Sequence, residues 1–309
     1  SRHLGGRHVP TYLQAGCSSL TALPFMAVLE LLAASPSLFT LLAIVLGLMV
    51  GSFLNVVVYR LPLMMEHEWR AQCAELLGQA STDQDRPPLT LWGPRSQCPS
   101  CGHLIEAVEN IPLLSYALQR GRCAHCSAAI GLQYPLVEAV SGILAGIVAW
   151  KFGFGWPTLA ALVFTWTLLA ASAIDMRHQL LPDNLSLPLL WLGLFAALFG
   201  LFADLPSAVI GAMAGYLSLW SVYHLFRLLT GKEGMGHGDF KLLAALGAWT
   251  GWQYLLTIIL LSSLVGALFG LALIFFGGQD RRVPMPFGPF LAAAGWIAAR
   301  NYHGRVRAD

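Results

Sequence analysis

Seven stretches of this chain are almost wholly apolar, and each has close to the length of a membrane crossing. They run from Leu38 to Tyr59, Leu132 to Trp150, Thr158 to Ile174, Leu185 to Ala203, Ser207 to Leu229, Gln253 to Gly277 and Phe287 to Arg300. A helix needs ~20 apolar residues to cross ~30 Å of hydrocarbon. An eighth apolar run, Phe240 to Trp249, is too short to cross unaided and reads as a helix buried among the others. Composition agrees, since only 11% of the 309 residues are charged and 56% are hydrophobic. A soluble domain carries ~25% charge, so this chain could not clothe a water-facing surface. The expected fold is an all-α polytopic membrane protein of about eight apolar helices, with the lipid bilayer as its solvent. A net charge of +2 gives no electrostatic footprint for nucleic acid.

Polar residues concentrate between the first and second apolar runs. Residues 60–130 carry Arg60, Arg70, Arg86, Arg95, Arg120 and Arg122, which suggests a small module outside the membrane. The expected organisation is a first transmembrane helix over 26–59, that module over 60–130, a membrane core over 131–302 and a tail over 303–309. Residues 1–25 begin without Met, precede Met26 and read as a non-core extension or expression remnant. Arg177, Arg227, Lys232, Lys241 and the Arg281–Arg282 pair fall in alternate links, whereas the links 151–157 and 203–207 hold one Lys and no Arg. The basic links therefore face the cytoplasm and the N-terminus lies outside. Arg300, Arg305 and Arg307 oppose this pattern, which leaves the side of the C-terminus open. No internal repeat stands out.

Four of six cysteines form two knuckles, Cys98-Pro-Ser-Cys101 and Cys123-Ala-His-Cys126, separated by 21 residues. Paired C-x-x-C knuckles present four thiolates, the donor set of a tetrahedral structural zinc (Zn2+) site. Gly102 and Gly121 flank the knuckles and allow sharp turns. Two disulfides are the competing reading, but the Arg-rich module points to the reducing cytoplasm, where disulfides are rare. His103 and His125 read as bystanders once four thiolates fill the site.

Glu138, Asp175, Asp183, Asp204 and Asp239 lie in or against the apolar helices. A carboxylate at such depth is costly and marks a functional candidate. Asp175 follows one apolar run, and Asp239 closes Gly236-His237-Gly238-Asp239 just before the short buried one. Two carboxylates meeting at a wet membrane boundary share a proton, so that one activates water and the other protonates a leaving amide. Gly236 and Gly238 keep the backbone bare for close approach. Arg177 and Lys241, the cations nearest the two acids in sequence, complete the expected supporting set. The plainer alternatives are that Asp239 caps the short helix and that Asp175 pairs with Arg177 or a nearby Lys. Asp183, after Pro182, reads as a helix cap, and Glu138 as a structural or substrate-binding group. There is no H-E-x-x-H and no G-x-S-x-G.

Five segments in order carry a family resemblance: Gly51-Ser52-Phe53-Leu54-Asn55 through Arg60-Leu61-Pro62, the two cysteine knuckles, Ile174-Asp175 through Leu181-Pro182-Asp183, Gly231 through Lys241, and Pro286-Phe287-Gly288-Pro289-Phe290. Together they resemble the bacterial type IV prepilin peptidases over about Met26 to Tyr302. The resemblance implies cleavage of the basic leader of type IV prepilins and type II secretion pseudopilins after a Gly, on the cytoplasmic side of the inner membrane. It also implies methylation of the new N-terminal amine with S-adenosylmethionine. Asp175 and Asp239 match the family's catalytic pair, and Cys98, Cys101, Cys123 and Cys126 its zinc ligands. No Gly-rich cofactor loop is visible, so the methyl donor and its site, sought between the module and the membrane, are implied by resemblance alone. The rival class is a proton-coupled transporter or channel whose intramembrane acids relay protons. A membrane-anchored zinc scaffold would leave Asp175 and Asp239 idle.

Overall fold

The computed structural model describes residues 29–78, 89–106, 108–232, 235–277 and 285–306. The expected extension with Cys17, together with Arg86, Gly234, the Arg281–Arg282 pair and residues 307–309, lies outside these. Eight helices dominate: α1 (Pro36–Leu76), α2 (Gln133–Phe152), α3 (Trp156–His178), α4 (Asp183–Leu198), α5 (Leu205–Thr230), α6 (His237–Thr250), α7 (Leu255–Gly277) and α8 (Gly288–Val306). Among the described residues the only β pairing is two isolated bridges. Helices α1, α2, α3, α5 and α7 are long and apolar enough to cross a membrane, so the chain is a multi-pass membrane protein.

The remaining three helices pack among those five. Helix α6 is buried at every position but one from Asp239 to Thr250, which is why its sequence is apolar all round and needs no lipid-facing length. Its Trp249 donates an indole hydrogen bond of 2.8 Å to the Leu189 carbonyl on α4, and Gly193 leaves the ring its space. Lipid provides no hydrophobic drive between helices, so close packing of small residues does the joining. On the α1–α2 interface a methyl at Gly47 would lie 2.6 Å from the Ala145 Cβ, and one at Gly51 2.7 Å from the Glu138 Cα. Gly211 on α5 and Gly247 on α6 meet backbone to backbone.

The first span differs from expectation in length. Helix α1 runs 41 residues, past Tyr59 and through Pro62, into the polar block. Pro62 removes one ladder donor, but Arg60, Leu61 and Pro62 are all buried, and that packing outweighs the loss. Helix α8 begins beside Asp175, and its Trp296 and Arg300 line the same small cavity as Lys151 and Phe152 at the end of α2. The C-terminal end of α8 therefore lies on the face of the bundle opposite Asp175.

Candidate active site and metal centre

Asp175 stands in the last turn of α3, where the amide of Gln179, in the left-handed region (φ 52), closes on the Asp175 carbonyl at 2.9 Å. Asp239 stands in the first turn of α6, whose N-cap is Gly236. Asp239 is thus not itself the cap. Asp175 and Asp239 are 5% and 7% exposed, so neither is a solvated surface acid. Leu181 lies between their surroundings: a methyl at Gly238, the neighbour of Asp239, would lie 2.6 Å from its Cβ, and one at Gly288, whose amide bonds Asp175, 3.2 Å from its Cδ1. Among the described residues the Asp239 Oδ1 has no hydrogen-bond partner, whereas the Asp175 Oδ2 accepts the amide of Gly288 at 2.9 Å. The two acids come from helix ends far apart in sequence, and both are buried there.

The glycines explain how the backbones get so near. A methyl at Gly238 would lie 2.6 Å from the Leu181 Cβ, and one at Gly288 2.6 Å from the Asp175 Oδ2. Gly236 differs, because a methyl there would meet only the Asp239 Oδ2, at an ordinary 3.8 Å. No hydrogen bond among the described residues joins Lys241 to either catalytic candidate. Its Nζ donates to both oxygens of Asp183 at 2.6 and 2.7 Å, so Asp183 is an ion-pair partner in the first turn of α4 and Pro182 holds the cap position. Arg177 is exposed, and no hydrogen bond among the described residues joins it to either aspartate. Gly288 and Leu181 are the contributors that charge-based reading of the sequence passes over, although both lie in the Pro286–Phe290 and Leu181–Asp183 segments already singled out.

The four knuckle cysteines converge. Their sulfur atoms all lie within 4.8 Å of one another, none is disulfide-bonded, and Cys98 Sγ is 3.8 Å from Cys126 Sγ. A tetrahedron with metal–sulfur bonds of ~2.3 Å has edges of about 3.8 Å, so the donor set fits zinc. The knuckles are an internal repeat after all. In each the first Cys amide donates to the carbonyl five residues on, Cys98 to His103 at 2.9 Å and Cys123 to Ala128 at 2.8 Å. Gly102 (φ 71) and Ser127 (φ 57) hold the matching left-handed position. The Cys98 thiol is pulled down to about 6, first by the Ser100 amide and then by that of Cys101. The His103 amide favours the Cys101 thiolate, yet burial and the neighbouring sulfurs outweigh it and push that thiol up to about 12. Four thiolates cannot crowd together without a cation. His103 and His125 stack at 5.3 Å beside the cluster and add no ligand to it.

Polar contacts join this module to the helices. Arg60, buried in α1, donates to the carbonyls of Thr90 at 2.8 Å and Pro94 at 2.5 Å. Glu138 on α2 accepts the Leu113 amide at 2.9 Å, and Ser52 donates to Asn110 at 3.3 Å. Glu138 is therefore an anchor for the module. The same stretch of α1, Leu54 to Leu61, packs with Ala170, Ala173 and Ile174, so module and aspartates lie at one end of the bundle.

The bacterial Peptidase A24 N-terminal domain matches residues 45–152, and the type IV leader peptidase family matches residues 162–271. A prepilin leader peptidase/N-methyltransferase from Pseudomonas aeruginosa is 58% identical over 273 residues, covering 88% of this chain and 94% of that one. Proteins of the same name from Stutzerimonas stutzeri and Aeromonas hydrophila are each 56% identical, over 88% and 87% of this chain and 94% and 93% of theirs. No solved structure matches. The chain belongs to the type IV leader peptidase family.

Proposed function

We propose that this protein is an integral-membrane aspartic endopeptidase of the bacterial inner membrane. It cleaves the leader of type IV prepilins and type II secretion pseudopilins after Gly on the cytoplasmic side, and then N-methylates the new N-terminal residue. The observation that carries the reading is that two buried carboxylates from different helices, Asp175 and Asp239, stand on either side of Leu181 at one end of the bundle. The names of the relatives support both activities.

In the cleavage step the pair holds one proton between its carboxyl groups. The ionised member takes a proton from water as the oxygen attacks the scissile carbonyl. The protonated member donates to the amide nitrogen as the C–N bond breaks, which leaves the pair with one proton again. Gly288 orients the Asp175 carboxylate through its amide. Gly236, whose Cβ position is open, leaves room for an extended substrate strand beside Asp239. Arg177 and Lys241 act at the rim rather than in the step.

The part of α1 up to Tyr59 serves as the first membrane span, its continuation leads into the cytoplasmic zinc module, and the helices from α2 onward form the peptidase core. The basic groups near the aspartates, Arg177, Lys232 and Lys241, favour a cytoplasmic active site. Cys98, Cys101, Cys123 and Cys126 hold Zn2+, which supplies rigidity to a module with few apolar contacts of its own. Methylation requires a donor, and S-adenosylmethionine is the one the resemblance implies. Position alone supports placing its site where the module meets the helices. No observation among the described residues favours a transporter. The test is cleavage of a prepilin by purified protein in detergent: Asp175→Asn and Asp239→Asn should each abolish it while the protein stays folded. Normal processing by either variant would defeat the dyad.

A further inference from the structure

The four-residue link 179–182 between α3 and α4 touches the surroundings of both aspartates. It begins on Asp175 itself, through the Gln179 amide on the Asp175 carbonyl. Leu181 then occupies the gap between the first turns of α6 and α8. A methyl at Gly238 would lie 2.6 Å from its Cβ, and one at Gly288 3.2 Å from its Cδ1. The link leads into Asp183 at the start of α4, gripped through both oxygens by Lys241, two residues beyond Asp239. One strap thus starts on the first aspartate and is clamped beside the second.

We propose that Leu181 is a positioning residue, a spacer whose bulk sets the separation of the Asp175 and Asp239 carboxylates, and that the Asp183–Lys241 ion pair clamps it in place. This rests on the diaspartyl reading above. Leu181 is half-buried, so filling the core is not its whole role. The Lys241 and Asp183 side chains are 30% and 50% exposed, and ion pairs so wet add little to stability. Their geometry matters instead, because proton sharing between two carboxylates depends steeply on distance, and an error of ~1 Å can cost on the order of 100-fold in rate. Leu181 also lines the space beside both bare glycines, so its loss would loosen α6 against α8 at the reacting atoms.

The test measures prepilin cleavage, folded yield and zinc content for Leu181→Ala, Leu181→Met, Asp183→Asn, Lys241→Met and the exchanged pair Asp183→Lys with Lys241→Asp. Leu181→Ala is expected to lower kcat at least about 10-fold with KM little changed, while Leu181→Met stays near normal. Its bell-shaped pH profile should change in width, because the splitting between the two apparent pKa values that bound the singly protonated pair follows the separation of the carboxylates. Asp183→Asn and Lys241→Met should each lower kcat several-fold, and the exchanged pair should recover much of the loss. Normal kcat and pH profile in Leu181→Ala would overturn the proposal. If Leu181→Ala does not fold, absence of recovery by the exchanged pair overturns it. Asp175→Asn and Asp239→Asn are run alongside: their inactivity with normal Leu181 variants rejects the spacer alone, whereas their activity rejects the dyad itself.

Discussion

The Gly288 amide donates a 2.9 Å hydrogen bond to the Asp175 Oδ2 from a residue 113 positions further along the chain. That bond joins the first turn of α8 to the last turn of α3, beside the start of α6. Two helix beginnings and one helix end therefore meet at the aspartates. Helix ends are where backbone amides lack internal partners, and Gly288 spends one such amide on a carboxylate oxygen. The absence of a side chain at Gly288 is what permits the approach.

Gly288→Ala tests that relationship. A Cβ there would fall 2.6 Å from the Asp175 Oδ2 and 3.2 Å from the Leu181 Cδ1, so the carboxylate has to turn away or α8 has to retreat. Cleavage should fall by about 10- to 100-fold with the protein still folded. The measurement is kcat on a prepilin in detergent, with a thermal melt as the control for folding. A rate within twofold of normal would show that the Asp175 orientation does not depend on this bond.

Arg60→Leu addresses the seam between module and membrane. It removes the donors to Thr90 and Pro94 and leaves two carbonyls without partners beside a buried helix segment. Charge-assisted bonds of this kind are worth roughly 1.5–3 kcal/mol each, so losing two should destabilise the module by about 3–6 kcal/mol. Limited proteolysis within residues 89–130 should accelerate sharply while the membrane helices resist. Unchanged cleavage kinetics of the module would mean that Glu138 and Ser52 anchor it unaided.

Much of this arrangement is legible in the residues, for identifiable reasons. Lipid demands continuous apolar helices, so all eight helices announce themselves, and α6 betrays its burial by lacking a polar face. Buried carboxylates are rare enough that Asp175 and Asp239 stand out by depth alone. The continuation of α1 to Leu76 is hidden because Pro62 and a run of charges look like an ending, and tertiary burial of Arg60 overrides both. Asp183 looks like a cap because it follows Pro182, yet its lysine partner lies 58 residues away and leaves no local trace. Gly288 and Leu181 act through backbone approach and bulk, for which charge and periodicity carry no signal.

Topology gives a prediction that does not depend on catalysis. Arg300 and Lys151 line one cavity at the end of the bundle away from Asp175. Single cysteines at Gly153 and Asn301 should therefore react with the same impermeant thiol reagent from outside intact cells, whereas one at Lys232 should react only after permeabilisation. Opposite labelling of Gly153 and Asn301 would mean that α8 does not traverse the bundle as its contacts with α3 and α6 require.

Metal removal separates the module from the dyad. One zinc per chain is expected by elemental analysis, lost in a Cys98→Ser, Cys101→Ser double variant. Zinc retention should also weaken as pH falls through about 6, where the Cys98 thiolate of the metal-free cluster takes up its proton. Uptake near neutrality should release at least the proton that Cys101 otherwise holds up to about 12. Without metal the stack of His103 on His125 is left to hold the knuckles together, since the module supplies few buried apolar side chains. The aspartates keep their helices, whose hydrogen bonds are internal, but α1 carries the module on Arg60 and touches Ile174 beside Asp175. Loosening the module should therefore lower cleavage only a few-fold, through that contact, while methylation falls much further. Complete loss of cleavage in a zinc-free, folded protein would make the module part of the substrate path to the dyad, and undiminished methylation would remove it from the second activity altogether.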